Sequence, residues 1–219
     1  MKGATPETAS NERPITAAAQ LLVEGRTPEI FFRELVQHLG LRDRINVRTF
    51  GGNENLGTWI EVFTRKPIFK ERVSSLAIIR DAESEAASNA FQSVCSALAG
   101  AHLATPVAMR EFADAPIRVG VYVLPDCGRP GMLETLCWEA ATEADANSQT
   151  KLLPCVDEFF RCVGNAPTLD NAAKARFSAY TLARGMAETQ LGRAAQKGII
   201  NFDAPAFAPL VDFLRRLAI

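Results

Sequence analysis

The sequence predicts an α/β fold in which a parallel sheet is flanked by helices and followed by a helical C-terminal extension. Three observations carry that prediction. Short apolar runs without polar alternation, such as Ala19–Val23 and Leu76–Ile79, fit strands buried on both faces. Each is followed by a stretch with helical spacing, which is the βαβ pattern. After about Glu143 the strands stop and only helical segments remain.

Residues 1–14 are polar and rich in Thr, Ser, Glu and Pro, and 1–18 reads as a flexible N-terminal tail or a docked arm. A strand from Ala19 ends in Glu24-Gly25. The next helix has Thr27 as its expected N-cap and Pro28 as its first residue. Ile30, Phe31, Leu35 and Leu39 form its apolar stripe, and Gly40 its C-terminal stop. Ile45–Phe50 alternates like a strand and ends at the turn Gly51-Gly52-Asn53. Leu56, Ile60 and Phe63 mark a helix that closes before Pro67. A third strand runs to Asp81, and its helix carries Ala87, Ala90, Phe91, Val94, Cys95 and Leu98 before Gly100. Residues 104–109 do not decide between an edge strand and a loop. Ile117–Leu124 is a clear strand, and a Pro/Gly loop leads to a helix with Leu133, Leu136, Cys137 and Ala140 on one side. Helices are expected over 152–163, 171–187, 189–197 and 205–218. The expected organisation is a tail over 1–18, an α/β domain over 19–142 and a helical extension over 143–219 packed on the same domain.

Composition limits the function. Of 219 residues, 47% are hydrophobic and 22% charged, enough apolar material for a substantial core. Twenty-four Lys plus Arg against 25 Asp plus Glu give a net charge of −1, so contact with nucleic acid must rest on a local patch or a bound cation. The five cysteines include no CxxC pair, which argues against a disulfide framework or a zinc site. Cys155 and Cys162 share a helix face and are expected to be buried thiols. The opening residues lack the apolar segment of a signal peptide and no apolar run is long enough for a membrane span, so the expected location is cytoplasmic.

Ligands of open α/β sheets bind outside the carboxyl ends of the strands. Strand one ends in Glu24, strand three in Arg80-Asp81-Ala82-Glu83, and Glu134 lies in the first turn of the helix that follows strand four and its loop. Crowded carboxylates raise one another's pKa, and a hard cation such as Mg²⁺ relieves the repulsion while leaving positions for phosphate oxygens. The i, i+2 spacing of Asp81 and Glu83 puts both on one side if the chain stays extended. Each residue also has a purely structural reading. Glu24 can simply end a strand, and Asp81, Glu83 and Glu134 can each neutralise a helix N-terminus. Arg26, Arg80 and Arg129 beside these acids can grip phosphate or form salt bridges. His38 reads as a surface residue, His102 as a loop residue without a partner, and Trp59 and Trp138 as core.

Leu22-Val23-Glu24-Gly25 before a helix, with Ile79-Arg80-Asp81-Ala82-Glu83 ending a later strand, resembles the Toprim domain. That domain is found in primases, topoisomerases, RecR-type proteins and OLD-family nucleases. The segments Pro125–Glu134 and Leu191–Gly198, with Pro205-Ala206-Phe207, are similar to a short Toprim-like bacterial family related to the OLD branch. The likeness covers roughly residues 19–219. It implies a Toprim/Rossmann-like sheet and a Mg²⁺ (or Mn²⁺) site. It implies Glu24 as general acid or base or as a help in holding metal, Asp81 and Glu83 as the metal-binding pair, and Glu134 as a further ligand. Lys197 matches a late basic residue of that branch and joins Arg26, Arg80 and Arg129 as an expected phosphate-binding group. Glu83 stands where the family pattern has Asp, a side chain one methylene longer. No tyrosine stands out as a nucleophile, so hydrolysis of a phosphodiester in nucleic acid is the implied activity. The alternative is a non-catalytic metal- or nucleotide-binding module serving as a partner subunit. A homo-oligomer or a partner protein stays open, and no membrane is expected.

Overall fold

A computed structural model describes residues 13–146, 152–164, 169–187 and 190–219; residues 1–12 of the expected tail lie outside them. Five strands form one sheet in the order β2-β1-β3-β5-β4: β1 (Ala19–Val23), β2 (Ile45–Thr49), β3 (Ser75–Asp81), β4 (Phe112–Ala113) and β5 (Arg118–Leu124). The first three and β5 are parallel, and β4 is a short antiparallel edge. The edge strand therefore falls at 112–113, not at 104–109.

Alternation along each strand divides the interior into two cores. Ala19, Leu21, Val23, Ala77, Ile79, Tyr122 and Leu124 face one core. That core is covered by α1 (Arg26–His38), α5 (Leu133–Ala146), α6 (Leu152–Cys162), α7 (Leu169–Ala183), α8 (Leu191–Gln196) and α9 (Ala208–Leu217). Leu22, Leu76, Ile78, Val119, Val121 and Val123 face the other, covered by α2 (Leu56–Thr64), α3 (Pro67–Arg72) and α4 (Ala87–Gly100). Helix α3 is one the sequence reading misses: Pro67 ends α2 but also begins a further helical turn.

The topology positions the site. Helix α1, after β1, covers one face, while α4, after β3, covers the other. Because β1 and β3 are neighbours, the crevice at their carboxyl ends is a topological switch point, where no crossover fills the space.

The start of α1 differs from expectation. Gly25 is the N-cap, with φ 81° and ψ 175°, and Arg26 opens the helix, so neither Thr27 nor Pro28 does. Glycine reaches this positive φ without a steric penalty, and the chain turns from strand to helix in a single residue. At the other end, Gly40 N–H donates to Gln37 O and Leu41 N–H to Val36 O, closing the helix as the glycine suggested.

The residues just before β1 are already tied down. Ile15 and Ala17 are buried. Arg48 on β2, also buried, donates from Nη1 to Arg13 O at 2.9 Å, from Nη2 to Pro14 O at 2.8 Å and from Nε to Gln20 Oε1 at 2.8 Å. Burial, and then the neighbouring Arg13, lower the Arg48 pKa to about 10. A second difference concerns α6, which turns Leu153 and Val156 inward and leaves Cys155 and Cys162 exposed. The two thiols share a face, but it is the outward one. Among the described residues no helix is long and apolar enough to cross a membrane.

Helix α8 lies against α1 at Gly192, where a Cβ would come within 2.9 Å of Ile30 Cβ and 3.0 Å of Thr27 O. The backbone carbonyl cannot move aside cheaply. Gly192→Ala is therefore expected to lose stability: overpacking costs about 1–3 kcal/mol, against about 1 kcal/mol returned by helix propensity. A lower urea midpoint checks this, and an unchanged or higher one contradicts the close approach.

Candidate functional site

A cleft of about 410 Å³ opens at the switch point, lined by Glu24, Thr27, Pro28, Asp81, Glu83, Leu133, Glu134, Lys174, Phe177, Ser178, Gln190 and Leu191. The four acids named from the sequence thus share one cavity. Glu24 arrives directly after β1, Asp81 is the last residue of β3, and Glu134 is the second residue of α5.

Asp81 links two elements. Its Oδ1 accepts the N–H of Leu133, the first residue of α5, at 2.9 Å. A carboxylate at this position satisfies an orphan helix donor and meets the positive end of the helix dipole. Around it the chain is clamped by backbone. Ala82 N–H donates to Leu124 O at 3.1 Å, Glu83 N–H to Gly131 O at 2.8 Å, and Gly131 N–H to Glu83 O at 2.7 Å. The extended geometry expected for the Asp81–Glu83 pair is not kept. Glu83 has φ 58°, in the left-handed region that non-glycine residues seldom occupy. The exposed Glu83 still lines the cleft, but by a turned backbone and not by strand alternation.

The electrostatics are those of crowded acids. Burial, then the carboxylate of Glu134, and further the carboxylate of Glu24 push the Asp81 pKa up to about 7; the Leu133 N–H and Lys174 work against the rise. Burial also holds Glu134 above its ordinary value, opposed by its own backbone N–H and by Lys174. Hard oxygen donors in excess of local positive charge are the chemistry that suits a hard divalent cation. Among the described residues, however, no three His, Cys, Asp or Glu side chains are gathered closely enough to hold a metal ion. The donor set fits a cation by its chemistry, and its carboxylates are not drawn together into a closed ligand shell.

The basic residues named from the sequence do not line this cleft. Arg26 turns back along α1 to pair with Glu29 at 2.6 Å. Arg80 alternates with Asp81 on β3, which places it on the side of Leu76 and Ile78, across the sheet from the acids. Its Nε is buried without a hydrogen-bond partner. Arg129 pairs with Asp126 at 2.7 Å and with Glu139. Lys197 is exposed just beyond α8. Among the described residues lining the cleft, the cation facing the acids is Lys174 on α7. Lys174, Phe177 and Ser178 share one helix face by their i, i+3, i+4 spacing. Nothing local in the sequence connects that face to the strand ends. Among the histidines, His38 pairs with Asp203 at 2.9 Å at the far end of α1, and His102 is exposed.

The raised Asp81 pKa makes stability depend on pH. A carboxyl group whose folded-state pKa lies above its unfolded value of 3.8 favours folding fully below that value. Its contribution is lost as pH rises from about 4 to about 7 and changes no further above that. Asp81→Asn, which keeps the acceptor for Leu133 N–H, removes this dependence. The variant is expected to gain stability relative to the wild type as pH rises through that interval, with the gap constant at higher pH. Urea midpoints measured across pH check it; a gap independent of pH contradicts the buried, crowded carboxyl.

The chain is similar to two solved structures of the C-terminal region of the Xanthomonas campestris pv. campestris OLD protein, phased with iodine and with mercury. The identities are 12% and 11%, 94% of this chain is covered in both cases with 97% and 98% of the other chain, and the TM-scores are 0.48 and 0.47. No curated protein matches. The family model described as "Protein of unknown function (DUF3226)" matches residues 18–219, and the chain belongs to that family.

Proposed function

We propose that this protein is a Toprim-type, metal-dependent phosphodiester-cleaving protein acting on nucleic acid. In this reading Asp81, Glu83 and Glu134 would hold Mg²⁺ or Mn²⁺. The observation that carries it is the convergence of these acids with Glu24 in one cleft at the switch point, where burial and the charges of Glu134 and Glu24 raise Asp81 to about 7. The strand-end glutamate and the acidic pair are also the features on which the sequence resembles Toprim domains.

The chemistry a hard divalent cation supplies in such a cleft is neutralisation of the carboxylates and polarisation of a phosphoryl oxygen. The remaining roles belong to the chain itself. Glu24, close enough to Asp81 to raise its pKa, would accept the proton of the attacking water or donate one to the leaving oxygen. Lys174, which faces Asp81 and Glu134, would bind a non-bridging phosphate oxygen. Thr27, Ser178 and Gln190 offer hydrogen bonds around it, and Phe177 and Leu191 give the cleft an apolar wall.

One observation favours a second reading, a non-catalytic metal- or nucleotide-binding module serving as a partner subunit. Asp81 already has an architectural task in holding the N-terminus of α5. Calorimetric titration with Mg²⁺ and Mn²⁺, on wild type and Asp81→Ala, joined to cleavage assays on single- and double-stranded substrates, separates the two. The nuclease reading expects binding and cleavage in the wild type and neither in the variant. Binding without cleavage supports the module, and absence of binding contradicts both metal-dependent readings.

A further inference from the structure

The carboxylate of Glu29 is fully buried, and three arginines converge on it: Arg13 from the N-terminal arm, Arg26 at 2.6 Å and Arg33 at 2.8 Å from α1 itself. One carboxylate cannot use all the donors of three guanidinium groups, each of which carries five N–H bonds. The side chains of Arg13, Arg26 and Arg33 keep 35%, 58% and 41% of their surface exposed. Burying Glu29 therefore serves to fix cations in place, more than it neutralises them.

These cations have a direction. Arg26, Glu29 and Arg33 follow i, i+3, i+7 spacing along one stripe of α1, so the backbones of Arg26 and Arg33 lie about 10 Å apart along the axis while their guanidinium groups meet at Glu29. At its N-terminal end the stripe starts two residues beyond Glu24, next to Thr27 and Pro28 of the acid cleft. At the other end it enters a second groove of about 350 Å³ between the arm, α1 and β2, lined by Arg13, Arg33, Arg42 and Arg48 with Glu34 as its acid. Arg42 is exposed and makes no ion pair with any described residue. In a chain of net charge −1 this is a local excess of positive charge.

We infer that this groove and the arginine stripe are a track for the backbone of single-stranded nucleic acid, with the Arg26, Arg13 and Arg33 cluster and then Arg42 as its phosphate contacts. A groove of about 350 Å³ is too small to enclose a duplex, whose major groove alone is about 12 Å wide, and suits one strand. Glu29 is the positioning residue that keeps the ladder in line with the acid cleft. The destination of the strand rests on the nuclease reading; the track does not.

The test is fluorescence anisotropy with a labelled oligothymidylate, in EDTA so that binding is read without cleavage, over a range of salt concentrations. Each phosphate contact to a single strand contributes about 0.7 to the slope of log K against log salt. Arg42→Ala, which breaks no ion pair, is expected to weaken binding and lower that slope by about 0.7; Arg33→Ala with Arg42→Ala lowers it by about 1.4. Arg72→Ala, on α3 across the sheet, makes the same change in net charge and is expected to leave the slope unaltered. Melting temperatures confirm that the variants fold. Absence of binding by the wild type, an equal effect of Arg72→Ala, no effect of the ladder variants, or binding of duplex alone overturns the inference. Asp81→Asn separates the two proposals. It should keep ladder-dependent binding whether or not the wild type cleaves, so a failed nuclease reading leaves a positive result for the track intact.

Discussion

The arrangement depends on one carboxylate placed where the fold needs it and electrostatics resists it. Asp81 ends the central strand β3, and its oxygen holds the first N–H of α5. By fixing α5 there it also brings Glu134, on the first turn of that helix, close to itself, with Glu24 from the end of the neighbouring strand in the same cleft. Hydrogen bonding to the helix end favours the ionised form; burial and two like charges oppose it, and the opposition dominates, since the pKa rises to about 7. A group poised near neutrality in a cleft is a marker of a working site. The same contact is what a purely structural aspartate would make.

Charge is segregated along α1. The acids meet at its N-terminal end, while the arginines are held along its flank by Glu29, which is buried and would be strongly unfavourable without them. Gly25 makes this adjacency feasible. By turning strand into helix in one residue, it leaves Glu24 in the acid cleft and Arg26 on the basic stripe, with no linker between opposite charges. The near-zero net charge of the sequence is thus an average over two local fields of opposite sign, and neither is visible in the total.

Much of the fold was legible in the sequence because its signals are local. The buried strands announce themselves as apolar runs, and Glu24 and Asp81 are simply the acids at the carboxyl ends of those runs. Other features depend on packing. The shared face of Cys155 and Cys162 comes from helical spacing, but which way that face turns depends on how α6 sits on its neighbours, and it turns outward. Lys174 reaches the cleft only because α7 packs against α5. The partner of Arg26 was the exception: Glu29 three residues on and Arg33 four beyond it carry the spacing of helical ion pairs, a signal present in the sequence and outweighed by proximity to the acids.

The central physical claim is that Asp81 and Glu134 share one low-dielectric site. Site-specific titration of the Asp81 carboxyl carbon by NMR tests it most directly, in the metal-free wild type and in Glu134→Gln. The account predicts titration near pH 7 in the wild type and a clear fall toward the ordinary carboxylate range once the neighbouring charge is removed. Titration in the ordinary range in both proteins would contradict it.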